Sequence, residues 1–216
     1  MNVPIPILFV AATTMEMKFF KSWWDDHAHA YPNIRLSFLV TGVGMSWTVF
    51  NLTKRILEEE YQYVVQIGIG GAYNRDLEIG SVVAVLTEVH GDLGFEELDG
   101  SVTPLEEFSG MNDRIITNKQ LNKEFTFEIP KVIGVTVDTT TGKLDTAERR
   151  KWQYNADVET MEGFALHLVA SQLEVPYLQI RSISNFVEQR DTKRWDVKLA
   201  LKSLNQFLTE EFIPSL

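Results

Sequence analysis

The chain has 216 residues, 44% of them hydrophobic and 23% charged, which is enough for one domain with a sizeable core and too apolar for a disordered chain. A formal net charge of −10 repels phosphate backbones, and no basic stretch offsets it, so nucleic acid is a poor candidate partner. The absence of cysteine removes disulfides, thiolate metal sites and a cysteine nucleophile while leaving the compartment open.

In chain order, apolar runs of strand length lie at Ile5–Ala12, Ile34–Thr41, Tyr63–Ile69, Ser81–Glu88, Lys131–Val137 and Tyr177–Ser184. The first run has neither a basic leader nor the length of an anchor, so it reads as a buried strand and the cytoplasm is the expected location. Helical spacing appears over Met15–Asp26, over Trp47–Glu60, in the segment after Glu162, and from about Trp195 to Phe212. Strands alternating with helices predict a single α/β domain spanning 1–216, with helices on both faces of a central sheet. Gly91–Phe127 is irregular, with Gly, Asp, Pro and Ser at short intervals, and reads as a long functional or interface loop.

Polar residues gather at the predicted carboxyl ends of the strands, where open α/β sheets hold their ligands. Thr13 and Glu16 after the first strand have the spacing of a capping box. Thr41-Gly42-Val43-Gly44 and Gly68-Ile69-Gly70-Gly71 follow strands, and their glycines suit a tight turn or a ligand brought close to backbone N–H groups. The second run is no dinucleotide fingerprint, because the next regular segment is a strand and not a helix. His27 and His29 read as exposed loop residues and His167 as helix packing, so no metal site is expected. The densest stretch is Asp157–Asn185. Glu159, Met161 and Glu162 stand at a strand-to-helix turn, and Arg181, Ser184 and Asn185 end the following strand. Taken singly, the acids suit the positive end of a helix and Asn185 suits a turn.

Taken together and in order, the Glu16 turn, T-G-V-G, I-G-x-G-G, L-E-I-G-S-V-V from Leu77, M-E-G at Met161–Gly163 and R-S-I-S-N at Arg181–Asn185 resemble the purine nucleoside phosphorylase and nucleosidase superfamily. The likeness is greatest to its nucleoside hydrolases, which act on methylthioadenosine, adenosylhomocysteine and futalosine. The resemblance implies a three-layer αβα sandwich with a central mixed sheet, a small-molecule nucleoside substrate, no metal or organic cofactor, no membrane partner, and a homodimer or higher homo-oligomer. It implies that Glu16 activates water with Arg181 behind it, that Glu162 beside Met161 and Glu159 binds ribose, and that Gly70 and Gly71 lie against sugar and base. Thr140, Ser184 and Asn185 fall in the base-binding segments. The chain departs from methylthioadenosine nucleosidases in three places: Thr160 separates Glu159 from Met161, no aromatic stands near Thr140, and an amide replaces the acid at 185. An Asn amide offers donors that suit O6 and N7 of hypoxanthine, whereas a protonated acid suits adenine. Ser184-Asn185 followed by Arg190-Asp191 and Trp195 has the spacing found in futalosine hydrolases, so futalosine, with hypoxanthine as the released base, is the expected substrate. A methylthioadenosine or aminofutalosine nucleosidase, a phosphorylase of the same fold, and a nucleoside-binding protein without turnover are the alternatives.

Overall fold

The computed structural model describes residues 3–99, 101–104, 114–119 and 128–216; the rest of the 91–127 excursion lies outside the described residues. Strand β1 (Ile5–Ala11) is apolar on both faces. Ile7 and Phe9 point into one core with Phe20, Trp24, Leu204 and Phe212, and Leu8 and Val10 into a second with Leu52, Leu166 and Val169. A strand packed on both faces needs helices above and below it, which is why its sequence is a continuous apolar run. Helices α1 (Thr14–His27) and α2 (Met45–Glu58) carry the chain from β1 to β2 (Ile34–Val40) and on to β3 (Tyr63–Ala72). Both neighbours pair with β1 in parallel.

Beyond β3 the sheet closes on itself. β3 pairs in parallel with β10 (Tyr177–Phe186), which pairs antiparallel with β4 (Val82–His90). β4 runs parallel to β8 (Lys131–Thr136), β8 runs parallel to β9 (Val158–Thr160), and β9 returns antiparallel to the far end of β3. β1 contacts β3 only as far as Gln66, whereas β9 contacts it at Gly71 and Ala72. Between those points β3 has no strand on that side, and the gap is where the site lies. Short strands β5 (Gly94–Glu96), β6 (Val102–Pro104) and β7 (Ile115–Thr117) occupy the described parts of the excursion, β7 pairing with β4.

The remaining helices are α3 (Leu144–Tyr154), α4 (Gly163–Gln172) and α5 (Val197–Phe207), the last continuing through a wider turn to Phe212. α4 is buried on almost every side, as an uninterrupted apolar helix must be. α3 has no counterpart in the sequence reading because only Ala147 and Tyr154 are buried on it, too few to set up a period of 3.6. Two other readings need correction. The Gly68–Gly71 run is no turn, since β3 runs straight through Gly70 and Gly71 to Ala72. Asn185 sits within β10 and not in a turn after it. No helix among the described residues is long and apolar enough to cross a membrane.

Candidate active site

A cavity opens where β1 ends and β9 begins, walled by Ala12, Thr13 and Glu16 after β1, by Val43, by Ile69–Gly71 of β3, by Glu159–Glu162, and by Thr140, Thr141, Ser184, Asn185 and Trp195. Nine of the ten residues singled out from sequence line it. The tenth, Arg181, is buried behind it at 1% exposure.

Glu16 is both a cap and a cavity group. Its Oε2 accepts from the Thr13 N–H at 3.0 Å and from the Thr13 hydroxyl at 2.8 Å, which completes a capping box at the start of α1. Its Oε1 accepts from the Ile69 N–H at 3.1 Å, reaching across to β3 where β1 no longer covers it. A Cβ on Gly68 would fall 2.3 Å from Nη1 of Arg181 and 2.7 Å from Oε1 of Glu16. The guanidinium and the carboxylate therefore both crowd one bare α-carbon, and any side chain at 68 would displace them.

Glu162 stands at the N-cap of α4 and makes no capping bond with its side chain. Its carboxylate turns away from its own helix. Oε1 accepts from the Gly44 N–H at 2.9 Å, and Oε2 lies 3.9 Å from Nη2 of Arg181. Gly44, at φ 96°, adopts a conformation that other residues rarely tolerate, and that turn aims its N–H at the acid. Burial foremost raises the Glu162 pKa, the Arg181 charge and the Gly44 N–H oppose the rise, and the charge of Glu16 adds to it. Arg181 also donates to Oε1 of Gln66 at 2.7 Å. The buried cation thus faces Glu162 and Gln66, and Glu162 is further satisfied by the Gly44 N–H, as a buried acid beside a single distant cation requires.

Glu159 also lines the cavity, yet its oxygens are taken by the protein. Oε1 accepts from the Thr141 N–H at 2.8 Å. Oε2 accepts from the hydroxyls of Tyr73 and Thr141 and lies 3.4 Å from the Arg150 guanidinium. Burial, with the Glu159 charge next, pushes the Tyr73 hydroxyl well above its ordinary value, so it stays a donor. Glu159 fixes the Thr140–Thr141 segment against β9. At Asn185, Oδ1 accepts from the Ser184 hydroxyl at 2.8 Å and Nδ2 donates to the Phe186 carbonyl at 3.0 Å. A carbonyl only accepts, so the amide orientation is fixed. One of the two N–H donors expected at 185 is spent on the protein, and one remains.

Several groups around this site were not read from sequence: Gln66, Glu88, Thr136, Arg150 and Gln179. Gln66 and Gln179 are single polar residues inside apolar strand runs, and that interruption was the available signal. His167, expected in helix packing, is fully buried; His27 and His29 are exposed, though not in a loop, since His27 is the last residue of α1 and His29 lies in the helical turn that follows. Among the described residues no group of three or more His, Asp or Glu is gathered as a metal site.

Comparison with known proteins agrees with this geometry. The profile of the phosphorylase superfamily matches residues 27–212. A futalosine hydrolase of Acidothermus cellulolyticus is 30% identical over 191 residues, 82% of this chain and 77% of that protein. A futalosine hydrolase of Streptomyces coelicolor is 31% identical over 147 residues, 67% of this chain and 62% of that protein. The structure of a futalosine hydrolase mutant of Helicobacter pylori superposes with a TM-score of 0.83 at 17% identity, covering 98% of this chain and all of the other. With an acid pair, a buried arginine and an amide gathered in the gap beside β3, the chain belongs to the phosphorylase superfamily, among its N-glycosidases of the futalosine hydrolase family.

Proposed function

We propose that the chain hydrolyses the N-glycosidic bond of futalosine to release hypoxanthine, as a cytoplasmic enzyme of menaquinone synthesis that needs no metal or organic cofactor. The observation that carries this reading is the Asn185 amide, locked by Ser184 and Phe186 with one N–H left over. A lone donor suits the O6 and N7 acceptors of a 6-oxopurine and opposes a 6-amino group. Glu162 accepts hydrogen bonds from the ribose hydroxyls and faces the cationic sugar as the base departs. Glu16 takes the proton of the attacking water, with Arg181 behind it, and Asn185 stabilises charge on the leaving purine. Water is favoured over phosphate as nucleophile because two carboxylates reach the sugar end of the cavity and no Lys or Arg lines it among the described residues.

An adjoining cavity shares Thr141, Asn185 and Trp195 with the first and is lined by Arg75, Arg190 and Arg194. Arg75 and Arg194 are paired with Glu188 at 2.7 and 3.1 Å. The Arg190 guanidinium lies 5.7 Å from the Trp195 ring centre and forms no ion pair among the described residues, and we assign it the benzoate carboxylate of futalosine. The exposed apolar side chains of Val43, Trp47 and Phe50 at the rim suit contact with a second copy of the chain. The test offers futalosine, aminofutalosine, inosine and methylthioadenosine in phosphate-free buffer and detects the free base. Hypoxanthine from futalosine should appear fastest, and Arg190→Ala should raise KM for futalosine while leaving inosine unaffected. A requirement for phosphate, or faster release of adenine, would overturn the assignment.

A further inference from the structure

Glu88, near the end of β4, is wholly buried and does not itself line the cavity, yet its carboxylate reaches the turn that presents Glu162. Oε2 accepts from the Thr136 hydroxyl at 3.0 Å, and Oε1 accepts from the Thr160 hydroxyl at 3.1 Å and from Nε2 of Gln179 at 2.8 Å. The same two hydroxyls accept from the first amides of α4: Gly163 N–H to Thr160 at 3.3 Å and Phe164 N–H to Thr136 at 2.7 Å. A threonine hydroxyl has one proton. With both protons spent on the carboxylate, both oxygens are left to receive the helix N–H groups. The two hydroxyls lie 3.0 Å apart, so without the carboxylate their protons would turn towards each other or be left unpaired, and the oxygens that receive the helix N–H groups would lose their fixed orientation. The packing is equally close, since a Cβ on Gly163 would fall 1.9 Å from Oε1 of Glu88. Glu88 therefore caps α4 at one remove, through Thr136 and Thr160, and leaves the N-cap residue Glu162 free to turn its own carboxylate to Gly44.

We propose that Glu88 is a positioning residue for Glu162, holding the start of α4 through the hydroxyls of Thr136 and Thr160 so that the Glu162 carboxylate meets the Gly44 N–H and the substrate sugar. The last part of that statement rests on the reading of Glu162 as the ribose-binding acid. Burial foremost lifts the Glu88 carboxyl to about 7, in keeping with an acid that its hydrogen-bond donors only partly compensate.

The test uses Glu88→Gln together with Thr136→Val, which removes one hydroxyl of the relay at nearly constant volume, and Thr136→Ser, which restores it. Hydrogen exchange reads the position of Glu162 without substrate. In the first two variants the Gly44, Gly163 and Phe164 amides should lose at least ~10-fold protection, as expected when buried hydrogen bonds are broken, while β1 amides keep theirs. Thr136→Ser should stay close to the parent. Steady-state kinetics on a ribonucleoside and its 2′-deoxy analogue should show the ribo preference shrinking by ~10-fold in the two disruptive variants, mostly through KM. Unchanged exchange at Gly44 in a folded Thr136→Val protein would overturn the proposal. If exchange at Gly44 rises while the ribo preference holds, the positioning stands and the placing of Glu162 at the sugar fails.

Discussion

Glu16→Gln separates the two tasks of that side chain. Both oxygens accept from main-chain N–H groups, Oε2 from Thr13 at 3.0 Å and Oε1 from Ile69 at 3.1 Å. A glutamine has one acceptor oxygen, so whichever way it turns its NH2 opposes an N–H. From the sequence the variant reads as structurally silent, but the geometry predicts a cost. One part-buried donor left without an acceptor costs ~1–3 kcal/mol. Glu16 is only half-buried, which favours the lower end. At this chain length, a melting point moves ~2–4 °C per kcal/mol, so Tm should fall by ~2–6 °C. Loss of the base should separately lower the hydrolytic rate by ~10²–10⁴. Thr13→Ala is the control: it removes the hydroxyl half of the capping box, with a similar loss of Tm, but leaves a carboxylate facing the water and should cost far less in rate. Thermal unfolding by calorimetry and single-turnover release of hypoxanthine in phosphate-free buffer read the two effects apart. A Glu16→Gln protein that turns over at the parent rate would reduce Glu16 to a helix cap and refute the proposed mechanism.

Asn185→Asp should shift preference from the 6-oxopurine towards the 6-amino substrate, costing ~1–3 kcal/mol in kcat/KM on futalosine through the lost donor. Because an oxygen would then face the Phe186 carbonyl at the place now held by Nδ2, the acid must carry a proton there, and the shift should grow as pH falls. A ratio of the two efficiencies that the substitution leaves unmoved would remove Asn185 from base recognition. His167 sets a pH dependence of stability. Burial lowers its pKa to about 4 in the folded chain, from 6.5 when unfolded. Only the unfolded chain binds the proton in that window, so the stability is fully present above 6.5 and drains away as pH falls towards 4. Between pH 7 and pH 5 the loss is about 2 kcal/mol. The raised pKa of Glu88 acts in the opposite direction from about 7 downwards, so the comparison is made within one pair: His167→Gln should lose less stability than the parent over that range in urea unfolding. Parallel curves for the two proteins would show that burial of His167 is not what sets its charge.

The chain's local chemistry determined the elements that bury an apolar stretch on both sides or carry a full helical period. β1, β2, α1, α2 and the last helix are legible because their side chains satisfy their own periodicity. So is the chemistry of the site at the level of residue type, since an acid after a strand or an amide in R-S-I-S-N keeps its functional groups whatever surrounds it. Three things were decided by tertiary structure alone. The closing of the sheet on itself, which leaves β3 uncovered between Gln66 and Gly71, depends on pairings of β3 with β10 and β9, which lie far along the chain from it, and no local pattern encodes them. The direction of the Glu162 carboxylate follows from Gly44, 118 residues away, and from Arg181 on the next strand; locally it reads as an acid at a helix start. The division of labour among the buried acids is likewise invisible in the chain. Glu159 is consumed by Tyr73, Thr141 and Arg150, and Glu88 by Thr136, Thr160 and Gln179, because a carboxylate cut off from water must find donors, and which donors it finds is settled only when the strands come together.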